Sequence, residues 1–285
     1  MKPAPFDYAC PATLDEALAL LAGRAGEARP IAGGQSLMPL LAFRLAAPAL
    51  LVDLRKIAGL DRILIDDEGV ALGARVRWRD VEHEPRLRTA HPLLVAAVGH
   101  VAHYQIRNRG TVGGSLAHAD PAAELPGIAV TCDAVITTAG PTGRRRIPAG
   151  DFFLGPLTTA LAPAEIITEI RMPAWPAGRR WGFEEFARRR GDFALAGIGA
   201  FWDEDEGERV RNAHLGVIGA CRRPHRLGVA EAILNGRALD ETAIAEAARA
   251  AAAAVEPPED LHASAAYRRA LVATLLKRAL QRAAS

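Results

Sequence analysis

Cysteine is scarce in this 285-residue chain: Cys10, Cys132 and Cys221 stand far apart, with no CxxC pair. That spacing argues against a structural zinc site and against an iron–sulfur cluster ligated by this chain alone. It fits a reducing, cytoplasmic setting, as does the lack of an apolar signal core in residues 1–8. No apolar run approaches the ~20 residues needed to cross a bilayer. Aromatic residues make up only 5% of the chain, too few for a platform that stacks single-stranded bases. Net charge is +2, too near neutral for a general nucleic-acid surface. Several chemistry-bearing patterns are missing too. There is no GxGxxG after the first apolar run, no GxxxxGK[ST], no nucleophile elbow and no HExxH. No lysine is placed to grip a γ-phosphate, which excludes ATP hydrolysis of the P-loop kind.

What is present is a globular composition. Half the residues are hydrophobic and 24% are charged, and the length supports two or three cores. Two glycine turns organise the chain. In the first, Arg29-Pro30-Ile31-Ala32 runs into Gly33-Gly34-Gln35-Ser36, followed by the helix-competent Leu37–Leu45 and the apolar run Ala49–Leu54. The unit reads strand, tight turn, helix, strand. The second is Thr111-Val112-Gly113-Gly114-Ser115. Glycines lack Cβ, adopt positive φ, and let main-chain N–H groups converge on one point. A helix starting there adds its positive end, a natural seat for a diphosphate. One Gly-Gly pair is an ordinary turn; two, each followed by a serine, imply two edges of one dinucleotide-sized site.

Around these turns the pattern predicts an α+β fold. Thr13-Leu14-Asp15-Glu16 opens a capped helix over 13–23 with Leu14, Leu18 and Leu21 on one face. Short strands are expected at 63–65, 69–73 and 76–78, and helix from Arg79 to about His103 with a break at His91-Pro92. Residues 129–138 read as β-rich, with 144–148 returning against them. The stretch Pro173–Gly178 is the expected boundary between a first domain, 1–176 (with subdomains of about 1–58 and 59–176), and a second, 177–285. Strands are predicted at 181–190, 193–203 and 209–218, then helices at about 226–235, 240–254 and 263–283. In the last helix, Tyr267, Leu271 and Leu275 form one stripe and Val272, Leu276 and Leu280 its neighbour.

Three stretches together carry a family resemblance. Tyr104–Pro126 resembles the second flavin-binding segment of the FAD subunits of molybdenum hydroxylases, and Ala32–Leu37 resembles the first. Phe183-Glu184-Glu185-Phe186-Ala187-Arg188-Arg189-Arg190-Gly191-Asp192-Phe193-Ala194 is similar to the segment that opens their C-terminal domain. The group includes the medium subunit of bacterial carbon monoxide dehydrogenase and the flavin domain of xanthine dehydrogenase. The likeness spans essentially the whole chain, in order and spacing. It implies a two-part FAD-binding domain of the vanillyl-alcohol-oxidase (PCMH) type, then three antiparallel strands plus a helix bundle. By the same resemblance, Ile31, Ala32, Gly33, Gly34, Gln35, Ser36 and Leu37 would wrap the FAD diphosphate. Thr111, Val112, Gly113, Gly114 and Ser115 would form the second turn on diphosphate and ribityl chain. Glu124 would bond ribose or ribityl hydroxyls, and Val101 and Ile167 would pack on flavin or adenine. Phe193 would lie beside the isoalloxazine, where carbon monoxide dehydrogenases resemble one another in having tyrosine. Glu184 falls where the xanthine dehydrogenase branch has a lysine, a departure that weakens any inference of NAD as acceptor. Catalytic residues are not expected, because the cofactor supplies the redox chemistry. The implied partners are a small subunit with two [2Fe-2S] clusters and a large subunit with the molybdenum cofactor, in a heterotrimer that is doubled.

Rival readings are a free-standing flavoprotein of the vanillyl-alcohol-oxidase superfamily and a non-enzymatic nucleotide-binding scaffold. His100 and His103, at i,i+3 spacing, lack a third metal ligand nearby in sequence. His118 and Asp120 read as turn-stabilising residues beside the second glycine turn. Arg144–Arg146 and Arg188–Arg190 read as solvated strand ends rather than nucleic-acid contacts, with part of the second run available to a partner subunit.

Overall fold

A computed structural model describes residues 2–283. The chain starts with a three-stranded parallel sheet in the order β1–β3–β2, built from β1 (Asp7–Ala9), β2 (Ala28–Ile31) and β3 (Leu50–Asp53). Parallel neighbours need crossovers, supplied by α1 (Leu14–Gly23) and α2 (Leu37–Ala42). Thr13 caps α1 reciprocally: the Glu16 N–H donates to Thr13 Oγ1 at 3.2 Å, and Glu16 Oε2 accepts from the Thr13 N–H at 3.3 Å. Ala17 and Leu21 are the buried anchors of this helix, with Leu14 and Leu18 half-buried against the same core.

Next comes a five-stranded antiparallel sheet in the order β4–β5–β10–β6–β7. Its first two strands are β4 (Ile63–Asp66) and β5 (Gly69–Gly73). Six helices then run on before the sheet resumes: α3 (Trp78–His83), α4 (Leu87–Ala90), α5 (Pro92–Val98), α6 (Tyr104–Arg107), α7 (Val112–His118) and α8 (Glu124–Thr131). The sheet is completed by β6 (Val135–Gly140), β7 (Gly143–Pro148) and β10 (Ile166–Pro173). Between the last two lie α9 (Ala149–Phe152) and the small hairpin β8 (Phe153–Gly155) and β9 (Thr158–Thr159). The helices cover the sheet and enclose the largest core, with Leu72, Leu93, Leu94, Leu116, Ile128, Ile136 and Phe152 inside it.

Several expectations fail here for identifiable reasons. Residues 76–78 are not a strand: Asp80 Oδ2 takes the Arg77 N–H at 3.0 Å and starts α3 at Trp78. The helical stretch after Arg79 breaks at Pro85 as well as at Pro92. The run 129–138 divides into the end of α8 and the start of β6. All eight residues of α8 are buried, so it shows no amphipathic period, and packing overrides the β-branched Ile128, Val130 and Thr131.

The last region is a four-stranded antiparallel sheet, β11 (Arg180–Phe186), β12 (Ala196–Glu204), β13 (Val210–Ile218) and β14 (His225–Arg226), one short strand more than expected. Helices α10 (Gly228–Leu234), α11 (Glu241–Ala254) and α12 (Ala265–Gln281) back it. In α12 the buried stripe is Val272, Leu275, Leu276, Ala279 and Leu280; Tyr267 is 46% exposed and lies outside it. The first strand stops at Phe186 and the second starts at Ala196, so Arg188–Arg190 and Phe193 lie on a loop. Helix α8 joins this sheet to the rest: the Thr131 carbonyl accepts from His214 Nδ1 at 2.8 Å. Strand β11 turns Trp181 and Phe183 toward the largest core, which brings its end beside the α5–α6 connection. Among the described residues no helix is long and apolar enough to cross a membrane.

Candidate functional site

The parallel arrangement leads β2 out at Ile31, and residues 32–36 turn beyond the carboxyl end of the strand, where open α/β sheets bind ligands. Gly34 sits at φ +71°. Among the described residues, the main-chain N–H groups of Gly33, Gly34, Gln35 and Ser36 donate to no protein acceptor. Gln35 Nε2 donates back to the Gly33 carbonyl at 2.9 Å and holds the turn from inside. Ile31 through Gln35 and Leu37 are half-buried, and Ser36 is exposed.

The second segment is differently engaged. Thr111 caps α7 by accepting the Gly114 N–H on Oγ1 at 3.2 Å. The Val112 N–H donates to the Val76 carbonyl at 2.9 Å, the Gly113 N–H to that of Ala74 at 2.8 Å, and the Ser115 N–H to that of Thr111 at 3.0 Å. The Ala74 N–H in turn donates to the Thr168 carbonyl on β10 at 3.0 Å. Four amides of this turn are therefore spent inside the chain, which pins it to the sheet. The hydroxyls of Thr111 and Ser115 and the N–H of Thr111 are what it leaves for a ligand.

The two turns touch. A Cβ built on Gly33 would lie 2.9 Å from the Arg109 carbonyl carbon and from Gly110 Cα, closer still to the Arg109 carbonyl oxygen. Only a residue without a side chain permits that backbone-to-backbone contact. Gly33, whose N–H is one of the four unengaged groups of the first turn, thus sits directly against the entry to the second.

The other singled-out residues lie outside the two turns. Glu124 opens α8 and is 6% exposed; burial, then the neighbouring Glu185 carboxylate, push its pKa up to about 8. Val101 is 8% exposed, and the carbonyls of Val101 and Ala102 are gripped by Arg107 Nη1 at 2.9 and 3.0 Å. Ile167, beside Thr168, is buried in the largest core. Phe193 is 64% exposed, on the loop after β11. That loop closes on the α5–α6 connection: Gly191, at φ +88°, packs on His103, and a Cβ there would fall 2.9 Å from the Ala102 carbonyl. His100 and His103 are thereby committed separately, His100 to an edge contact with Phe183 at 4.9 Å. Among the described residues no group of three or more potential ligands gathers to hold a metal. Asp120 stabilises its own turn, accepting the Ala122 N–H at 2.9 Å.

Sequence reasoning missed Glu185. Its side chain is 4% exposed, with Oε1 3.7 Å from His100 Nδ1 and Oε2 buried without a hydrogen-bond partner. A cavity of about 310 Å³ opens beside it, lined also by Gly99, His100, Phe186, Arg189 and Arg190. The signal was in the strand: period-two alternation puts Glu185 on the same face as Phe183, so an acid occupies an inward position. Of the arginine runs, Arg145 is locked to Glu165, its Nε donating to Oε1 at 2.7 Å, while Arg144 and Arg146 are exposed.

The chain resembles known proteins along nearly its whole length. Residues 4–175 match the family model described as the FAD binding domain in molybdopterin dehydrogenase. Residues 181–283 match the CO dehydrogenase flavoprotein C-terminal domain. The chain is 40% identical to the 6-hydroxypseudooxynicotine dehydrogenase complex subunit alpha of Paenarthrobacter nicotinovorans, over 99% of this chain and 96% of that protein. It is 36% identical to the carbon monoxide dehydrogenase medium chain of Hydrogenophaga pseudoflava, over 99% and 98%. A chain in the crystal structure of quinoline 2-oxidoreductase from Pseudomonas putida 86 superposes with a TM-score of 0.94 at 38% identity, over 99% and 98%.

Proposed function

This chain belongs to the family of FAD-binding medium subunits of molybdenum hydroxylases, and on that premise we propose that it holds the flavin of a heterotrimeric enzyme and passes electrons through it. The observation that carries the proposal is the seam where Gly33 meets Arg109 and Gly110, with four unengaged N–H groups alongside. Free main-chain donors are the groups a diphosphate needs. The residues present fit FAD: donors from the first turn, hydroxyls from Thr111 and Ser115, and a buried carboxyl at Glu124.

On this reading Ile31–Leu37 bind the diphosphate chiefly through main-chain N–H groups, and Thr111 and Ser115 bind it or the ribityl chain through hydroxyls. Glu124, held protonated at neutral pH, donates one hydrogen bond and accepts others from sugar hydroxyls without placing a negative charge beside the phosphates. Val101 and Ile167 would pack on the flavin or adenine, and Phe193 would lie beside the isoalloxazine. Bound FAD supplies the redox chemistry, taking up electrons and releasing them to an external acceptor. The division into 1–176, with subdomains of about 1–58 and 59–176, and 177–285 is part of the proposal.

The relatives act in multi-subunit complexes. We assign the [2Fe-2S] clusters to a small partner subunit and the molybdenum cofactor to a large one, in a doubled heterotrimer located in the cytoplasm. The relatives are named for a pseudooxynicotine, carbon monoxide and quinoline, so substrate choice belongs to another chain.

The test is a titration of the purified full chain with FAD, followed by an assay for substrate oxidation. The expected result is one FAD per chain, the visible bands of an oxidised flavin, and no oxidation of organic substrate or carbon monoxide. Co-expression with its partners should yield a complex containing iron and molybdenum. Turnover by the chain alone, or no flavin retained by the protein once free FAD is removed, would overturn the reading.

A further inference from the structure

A diphosphate carries net negative charge, and main-chain N–H groups answer it with dipoles rather than with a cation. Five arginines lie on residues 74–79 and 104–111, the two stretches that pair at the second turn: Arg75, Arg77, Arg79, Arg107 and Arg109. Three are committed to acids. Arg75 Nη1 lies 3.7 Å from Asp61 Oδ2, Arg79 Nε 3.8 Å from Asp80 Oδ1, and Arg107 Nε 3.0 Å from Glu82 Oε1. Beside the first turn Arg55 is committed too, its Nε donating at 2.6 Å to Asp53, the register partner of Ile31. Arg77 and Arg109 are exposed, and among the described residues their guanidinium groups make no ion pair and no hydrogen bond. Both belong to the seam itself. Arg109 supplies the carbonyl that lies against Gly33. Arg77 stands opposite Thr111 in an antiparallel bridge, between the Trp78 N–H bond to the Gly110 carbonyl at 3.2 Å and the Val112 N–H bond to the Val76 carbonyl at 2.9 Å. That is the non-hydrogen-bonded kind of pairing, in which opposed side chains leave on one face and lie close together. The Arg77 side chain therefore starts beside that of Thr111.

We propose that Arg77 and Arg109 are the counter-charges of the diphosphate, each guanidinium pairing with a phosphate oxygen once FAD is seated. The proposal rests on the flavin-subunit reading above. A long flexible stem carries the guanidinium well away from the main chain, and its planar fork matches phosphate geometry. The two arginines thus add what the glycine turns cannot supply, a charge-assisted and salt-sensitive share of the binding. In the FAD-free chain both groups stand in water, so the fold does not depend on them.

The test is an FAD titration of the full-length chain by flavin fluorescence quenching, at low and at high salt, with thermal melts of the FAD-free protein. Arg77→Gln and Arg109→Gln should each weaken FAD binding about tenfold, the loss of a charge-assisted hydrogen bond, and the double variant should lose more than either. The parent's affinity should fall as salt rises, and that of the double variant should fall less, because the screened attraction is gone. Melting temperatures of the FAD-free proteins should match the parent, since exposed positions outside the packing shift stability little. Arg109→Lys keeps the charge without the fork and should bind between the parent and Arg109→Gln. The control is Arg249→Gln, the same change of net charge at an exposed position on α11, which should keep the parent's affinity and salt dependence. A double variant that binds FAD within about twofold of the parent, with the parent's salt dependence, would overturn the proposal whether or not it still assembles with partner subunits. So would equal weakening by Arg249→Gln, the mark of overall charge rather than of place. Weaker binding with a lowered melting temperature and unchanged salt dependence would overturn it too, as the mark of a structural role. Failure of the parent chain to retain FAD is a different result: it removes the flavin-subunit reading, and this proposal with it.

Discussion

Replacing Gly33 by alanine tests the seam directly. The new methyl would lie 2.9 Å from the Arg109 carbonyl carbon and from Gly110 Cα, and both are main-chain atoms that no side-chain rotation removes. Ordinary contact between such atoms is about 3.5–4.0 Å, so one strand of the seam must retreat by roughly half an ångström or more. The second segment resists. The Gly110 carbonyl accepts the Trp78 N–H at 3.2 Å, and Val112 and Gly113 donate to Val76 and Ala74. Overpacking of this kind costs about 1–3 kcal/mol, and at about 2–4 °C per kcal/mol the melting temperature should drop by several degrees. Parting the turns also spreads the N–H groups proposed to hold the diphosphate. A loss of about 2 kcal/mol there is a roughly thirtyfold weaker Kd. The assay is a thermal melt of the FAD-free chain together with an FAD titration. Gly150→Ala is the control, since a Cβ at that position in α9 meets nothing within 4 Å; it should leave both readings unchanged or slightly raise the melting temperature. A Gly33→Ala protein that melts with the parent and binds FAD within about twofold of it would refute the argument that the two turns form one site.

Other outcomes follow from the buried polar groups. Glu124 has a folded pKa raised from 4.5 to about 8. The folded chain therefore holds a proton that the unfolded chain releases, and stability falls as pH rises through that window, by up to about 1.4 kcal/mol per pH unit. Glu124→Gln should flatten the FAD-free melting curve between pH 5 and 8, and parallel curves for variant and parent would contradict the assignment. His91 behaves oppositely: fully buried, with its pKa lowered to about 4 by burial, it accepts the Leu94 N–H on Nδ1 at 3.3 Å. Its contribution is complete above pH 6.5 and is lost as pH falls toward 4, so His91→Gln should show a shallower acid transition by circular dichroism. Arg145→Ala strands the Glu165 carboxylate, whose side chain is 2% exposed, and should cost about 2–4 kcal/mol in urea unfolding. Arg144→Ala, at an exposed position, should stay within about 0.5 kcal/mol of the parent.

The boundary between what was legible and what was not follows the range of the interactions. Thr13 and Glu16 lie three residues apart and cap α1 whatever surrounds them, so that helix is read from its own residues. The hairpin of β6 and β7 turns at Gly143, φ +108°, and the last sheet is a meander in which strands adjacent in sequence pair with one another. In contrast, α8 is buried on every side, and a helix without a polar face has no period to detect. The loop at 187–195 is likewise invisible locally, because Gly191 leaves the strand to pack on His103.

The same division runs through the site. The residues alone determined that two glycine turns exist, what kind of group converging amides would hold, and that the three cysteines stand far apart along the chain. Tertiary structure decided that Gly33 lies against Arg109 and Gly110, and that the amides of Val112 to Ser115 are consumed within the chain while those of Gly33 to Ser36 are not. It also decided that Glu185 ends with a buried oxygen that has no hydrogen-bond partner. Turn chemistry is written in adjacent residues, but whether a donor is free depends on partners such as Val76 and Ala74, tens of positions away, which only the folded sheet brings within reach.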